Sequence, residues 1–104
     1  MKLNMIIIAG NVYVNPLEVE TFVSEARATI PLGFKNTGCI SISFTLDDKD
    51  AGSMLVLERW IDQASLDKHL AQPEVIALFT KWGPKMKNEV KKYDALNERD
   101  PRDK

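Results

Sequence analysis

Residues 54–79 read MLVLERWIDQASLDKHLAQPEVIALF, and three side chains there could do chemistry: Glu58, Trp60 and His69. A hydrophobic strand ends in Glu58-Arg59-Trp60, a short helix carries the only histidine of the chain, and Pro73 opens a second helix. Glu58 and Trp60 have the same strand parity and so share a face. An imidazole at that corner can take a proton from a phenol or an enol as general base. Trp60 can form a flat wall for an aromatic substrate. Asn11, in the middle of the first strand, can hydrogen-bond a substrate carbonyl or a developing oxyanion. Phe44, with Tyr13, is a further candidate lining residue.

Each of these residues also has a structural reading. His69 can cap carbonyls at the end of its helix, where the dipole favours a protonated ring. Trp60 can anchor the core. Glu58 on a covered strand needs a partner to offset desolvation, and Arg27, Lys68 or a backbone amide can supply one. Asn11 in an apolar strand must be bonded wherever it points. Cys39 fits a small buried strand residue or a reactive thiol.

The bulk numbers narrow the classes. A chain of 104 residues is one domain, with room for a modest core. Its 44% hydrophobic and 28% charged residues are those of an ordinary globular protein. A formal net charge of −1 gives no electrostatic support for nucleic acid or a membrane surface as partner. Lys85, Lys87, Lys91 and Lys92 are diluted by Glu89 and Asp94 and read as a solvated face. The single Cys39 excludes an intrachain disulfide and fits a reducing compartment. One Cys and one His are too few for a His/Cys zinc site, and no metal is expected. Lys49 and the missing downstream Glu argue against calcium at Asp47, Asp48 and Asp50. The run Met5–Ala9 is too short for a membrane span and resembles no signal peptide. A cytoplasmic protein is the expectation.

The elements that must position the site follow in order. Residues 4–14 read as a strand apolar on both faces. Asn15 as N-cap, Pro16 at the first helical position and Glu18 predict a helix bearing Val19, Phe22, Val23, Ala26 and Ile30. Pro31, Gly33 and Gly38 predict a broken helix end or loop. Residues 39–46 alternate as a strand, 47–52 are turn chemistry, and 53–60 form the other arm of a hairpin. Asp62 caps a helix over 63–71, and Pro73 starts another that Gly83-Pro84 stops. Residues 86–96 read as a more polar final strand. The domain spans 1–96, with 97–104 a flexible C-terminal tail.

This order predicts an α+β fold: one four-stranded antiparallel sheet with helices on one face. The helices cover only one side, yet strands one and three are apolar on both. Each large apolar residue left wet would forfeit about 1.5–3 kcal/mol. A second copy of the chain is the expected cover, giving a homodimer through the sheet faces.

Glu58-x-Trp60, Leu66, His69-Leu70, Pro73, Val75 and Thr37-Gly38-Cys39 together resemble the antibiotic biosynthesis monooxygenase domain family over about residues 4–96. The resemblance implies a ferredoxin-like subunit in a dimeric α+β barrel. It departs where many relatives have Glu-Pro-Gly-Cys and this chain has Asn36-Thr37-Gly38-Cys39. The family includes cofactor-free monooxygenases of aromatic polyketides, quinol oxygenases, enzymes processing a phosphorylated signal molecule and haem-degrading enzymes. The haem branch resembles this chain at Asn11, but its iron-ligating histidine would fall near Thr80, and haem degradation is not expected.

The resemblance therefore implies a cofactor-independent monooxygenase acting on a quinol, aromatic polyketide-like or enolisable small molecule, with no metal or flavin. His69 is its expected base, Trp60 and Phe44 its wall, and Asn11 its polar anchor, with Glu58 beside them. A non-catalytic small-molecule-binding or dimerisation module, or an isomerase of the same fold, remains open.

Overall fold

The computed structural model describes residues 5–104; Asn4, the first residue of the expected opening strand, lies outside them. The strands are β1 (Met5–Tyr13), β2 (Cys39–Asp48), β3 (Ser53–Trp60), β4 (Lys87–Asn88) and β5 (Lys91–Ala95). The helices are α1 (Val19–Arg27), α2 (Ile30–Phe34), α3 (Gln63–Leu70) and α4 (Pro73–Trp82). All strand pairs are antiparallel, in the order β2-β3-β1, with β4 and β5 both paired to the free edge of β1. This is the expected ferredoxin-like α+β topology, with its fourth ribbon split in two.

Register decides what faces the helices. On β1 and β3, Ile6 lies opposite Trp60, Ile8 opposite Glu58 and Val12 opposite Met54. On β2 and β3, Ile42 lies opposite Glu58 and Phe44 opposite Val56. Val12, Met54 and Val56 pack beneath α1, whose buried stripe is Val19, Phe22, Val23 and Ala26, whereas Ile6, Ile42 and Trp60 pack with Leu66 of α3. The core forms two clusters: a larger one around Val12, Phe22, Met54 and Trp82, and a smaller one around Ile6, Ile42, Trp60 and Leu66.

Three local expectations are corrected or refined. First, α1 begins at Val19, not after Asn15. The Asn15 carboxamide oxygen accepts from the Leu17 amide at 2.9 Å, and the Asn15 carbonyl accepts from the Glu18 amide at 2.8 Å. Asparagine has closed its own turn before the helix starts. Second, of the two expectations for this stretch, a broken helix end or a loop, the first is nearer: Ile30–Phe34 is a short separate helix after the break that ends α1, because Pro31 sits in its first turn, where a missing N–H is harmless. Third, the final strand breaks at Glu89-Val90. There the chain crosses Gly10, whose φ is +144°; a side-chain carbon at Gly10 would come within 2.5 Å of the Glu89 carbonyl oxygen. Only glycine permits that crossing. The Glu89 amide donates to the Asn11 carbonyl at 2.9 Å, which holds the break in place.

The hairpin and the α3 cap match expectation. Asp62 accepts from the Ser65 amide at 2.8 Å. Among the described residues no helix is long and apolar enough to cross a membrane.

Candidate active site

The Asp62 cap starts α3 immediately after β3, so the inward side of this short helix lands over the end of that strand. Leu66 and His69, three residues apart, are its buried positions. The His69 ring lies against Trp60, with centroids 5.0 Å apart and planes tilted by 36°. On another side it meets Gly33 of α2, where an added side-chain carbon would sit 3.4 Å from His69 Cε1. His69 is 5% exposed, and its Nδ1 is fully buried without a hydrogen-bond partner. The carbonyls at the end of α3 are met by backbone amides, Ala71 to Asp67 at 3.1 Å and Gln72 to His69 at 3.1 Å. The ring is not needed as a cap. Burial pushes the imidazole pKa below its ordinary value, opposite to what the helix dipole alone would do.

Glu58 is also buried, and Ile8 and Ile42 flank it on the neighbouring strands. Its partner is none of those expected: Arg27 and Lys68 are exposed. Instead the Trp60 indole Nε1 donates to Glu58 Oε1 at 2.9 Å. Burial raises the carboxyl pKa, and the indole bond offsets this only in part. A second indole–carboxylate pair makes the contrast. Trp82 Nε1 donates to Glu25 Oε1 at 3.0 Å, but that carboxylate is held low, first by its bond to Lys81 and then by Trp82. The same contact ends differently because Glu25 has a cation and solvent, whereas Glu58 has isoleucines.

Glu58 and His69 both border a cavity of about 130 Å³ between the sheet and the helices. Phe44, Met54, Val56 and Leu78 are among its apolar walls. Leu70 and Phe79, 43% and 48% exposed, stand at its rim. Among the described residues no lysine or arginine borders it. Thr29 does, but its hydroxyl is already donated to the Ala26 carbonyl at 2.7 Å. The polar groups left for a ligand are the imidazole, the Glu58 carboxyl, the Asn88 carboxamide nitrogen and the accepting side of the Thr29 hydroxyl.

The predicted site residues divide accordingly. His69, Glu58 and Phe44 come together at the cavity. Trp60, expected as a wall, is wholly buried behind His69 and takes no part in the lining. Asn11 is on the opposite face of the sheet. Its side-chain amide donates to Ser53 Oγ at 2.9 Å and to Asp47 Oδ2 at 3.1 Å. Strand parity explains the separation: Asn11 is paired across from Leu55, whereas the inward positions of β1 are Ile6, Ile8 and Val12. Tyr13 shares the outward parity. Cys39 is half-buried, and its thiol is pushed up first by burial and then by Glu58.

Met86 and Val90 were missed as lining residues. Met86 precedes β4 and Val90 lies in the strand break itself, whose sequence signal is Gly10. Leu78 was visible as an apolar helix position but read as plain core. Among the described residues no three His, Cys, Asp or Glu side chains gather as a metal ion would need.

The family model described as antibiotic biosynthesis monooxygenase matches residues 5–81. An uncharacterised Synechocystis protein, sll1783, is 37% identical over 68 residues, which are 65% of this chain and 46% of that protein. The chain thus spans about half the length of the curated relative it matches. A candidate antibiotic biosynthesis monooxygenase from Caulobacter crescentus superposes with a TM-score of 0.77 at 20% identity, covering 92% of this chain and 93% of that one. A conserved Methanosarcina mazei protein superposes with a TM-score of 0.71 at 22% identity, covering 93% and 95%. At such identities the superpositions establish the fold alone. The match over residues 5–81, well over half of the sequence, establishes the family: this chain belongs to the antibiotic biosynthesis monooxygenase family.

Proposed function

We propose that this chain is a cofactor-independent monooxygenase of quinols, aromatic or enolisable small molecules, with His69 as general base. One observation carries the reading: the only histidine is buried at the wall of an apolar cavity, and its ring makes no hydrogen bond to another described residue. A substrate hydroxyl or enol is a fitting occupant, and a neutral imidazole can accept its proton.

The chemistry needs no further group on the substrate side. His69 removes a proton from an activated C–H or O–H. The carbanion or enolate gives its electrons to dioxygen, and a C–O bond forms as a peroxide. The peroxide takes the proton back from His69. A second proton then leaves the same carbon, the O–O bond breaks, and a carbonyl and water result. Glu58, whose burial makes its carboxyl hold a proton more tightly than an exposed one, gives the departing oxygen a proton and recovers one when the carbon is deprotonated. The apolar walls keep water from the intermediates.

The active unit of this reading is a homodimer in the cytoplasm. Leu55, Leu57 and Tyr93 lie on the sheet face away from the helices and are 43%, 46% and 53% exposed. A second copy would cover them. Oxygen uptake with a panel of quinols and anthrones tests the proposal. Uptake by wild type that falls about 10²–10⁴-fold in His69→Gln supports it. Tight binding with no turnover points to a binding module, and turnover without oxygen points to an isomerase; either result sets the monooxygenase reading aside.

A further inference from the structure

The volume and lining of the cavity narrow the ligand. A cavity of about 150 Å³ lined by Leu, Ile and Phe holds one benzene ring. The cavity here, at about 130 Å³, is slightly smaller. Three fused rings would have to extend past the Leu70 and Phe79 rim into solvent. Among the described residues its walls contain no lysine or arginine, so a carboxylate or phosphate would lose its hydration and gain no cation from them. The Thr29 hydroxyl is spoken for by the Ala26 carbonyl, and the Asn88 carboxamide oxygen by the Val90 amide. A hydroxyl, which both donates and accepts, suits the His69 ring and the Glu58 carboxyl at the wall whichever tautomer and proton they hold.

We propose that the His69 cavity selects an uncharged, single-ring or smaller molecule carrying a hydroxyl, and excludes both fused polycyclic aromatics and anionic metabolites. This specificity rests on the reading of His69 as the ligand-facing group. It separates two substrate kinds that the same chemistry would otherwise admit equally. Size is set by Leu78, Phe44 and Met54, and charge by the missing cation.

Binding measured without turnover tests it, under argon, by calorimetry and by the shift of the single His69 ring in NMR spectra. The probes are phenol, hydroquinone, 1-naphthol, 1,8-dihydroxyanthrone and 4-hydroxybenzoate. Phenol and hydroquinone should bind at least about tenfold more tightly than the anthrone and the benzoate, a difference of about 1.4 kcal/mol. Leu78→Ala, which shortens one wall, should improve 1-naphthol relative to phenol. Equal or tighter binding of the anthrone or the benzoate overturns the proposal, as does the absence of any phenol binding. Selective binding of hydroquinone without oxygen uptake would remove the monooxygenase reading and leave this specificity intact.

Discussion

The Trp60 indole donates to Glu58 Oε1 at 2.9 Å while its ring lies against His69 at a centroid distance of 5.0 Å. One buried side chain thus positions both titratable groups of the cavity without touching the space a ligand would fill. Trp60 is a positioning residue on this account. Trp60→Phe keeps an aromatic ring and removes the donor. It should destabilise the fold by about 1–3 kcal/mol in urea titrations, because the Glu58 carboxyl is left unpaired. In a Glu58→Leu background the same change should cost less, with a coupling of about 0.5–3 kcal/mol. Equal costs in both backgrounds would show that the bond contributes nothing.

Glu58 and His69 should pull stability in opposite directions with pH. The folded pKa of Glu58 lies above its ordinary 4.5. The native state therefore holds that proton longer than the unfolded chain, and stability declines as pH rises from about 4.5 through the folded value. The folded pKa of His69 lies below its ordinary 6.5. There the unfolded chain takes the proton first, so stability is full above about 6.5 and is lost as pH falls from there through the folded value. Melting curves from pH 4 to 8 should show the acid-side loss abolished in His69→Gln. In Glu58→Gln the decline on the alkaline side of 4.5 should vanish. Unchanged profiles in both variants would contradict the burial-driven shifts.

Gly33 packs against Ile42 Cδ1 and close to His69 Cε1. Gly33→Ala should strain that contact, costing about 1–3 kcal/mol and lowering activity by displacing the ring. Ile42→Val removes the offending methyl, so the double variant should regain part of both losses. A Gly33→Ala protein as stable and active as wild type would show that α2 does not seat His69.

Much of this arrangement is written locally. Asp62 announces α3, Pro73 announces α4, and the alternation of Ile42 and Phe44 marks β2, because caps, prolines and strand period act within a few residues. The convergence of His69 and Glu58 was legible for the same reason, since one strand-to-helix corner carries both. Asn11 was open between a site and a structural role, since a polar residue in an apolar strand fits either; here its side-chain amide serves Asp47 and Ser53 on the face away from the cavity. The break at Glu89-Val90 was not legible. It depends on a long-range crossing over Gly10, and nothing near residue 89 signals it. The helix over Ile30–Phe34 was hidden because proline and glycine are usually breakers, and here the proline occupies a first turn.

The open sheet face makes the dimer testable at one residue. Leu57→Lys places a charge among Leu55 and Tyr93, on the face away from the cavity. It should shift the sedimentation coefficient from dimer to monomer while leaving the fold intact by circular dichroism. A wild-type protein that sediments as a monomer, or a variant as dimeric as wild type, contradicts the proposed assembly.

The most direct measurement follows the ring nitrogens of His69 by ¹⁵N NMR, with and without phenol, from pH 4 to 8. The chain has a single histidine, so the signals need no assignment. The free protein should show a neutral imidazole at pH 7 that titrates below 6.5, and phenol should shift its nitrogen signals. A ring that titrates at or above 6.5 and is indifferent to phenol would mean that this histidine is not the group the cavity is built around.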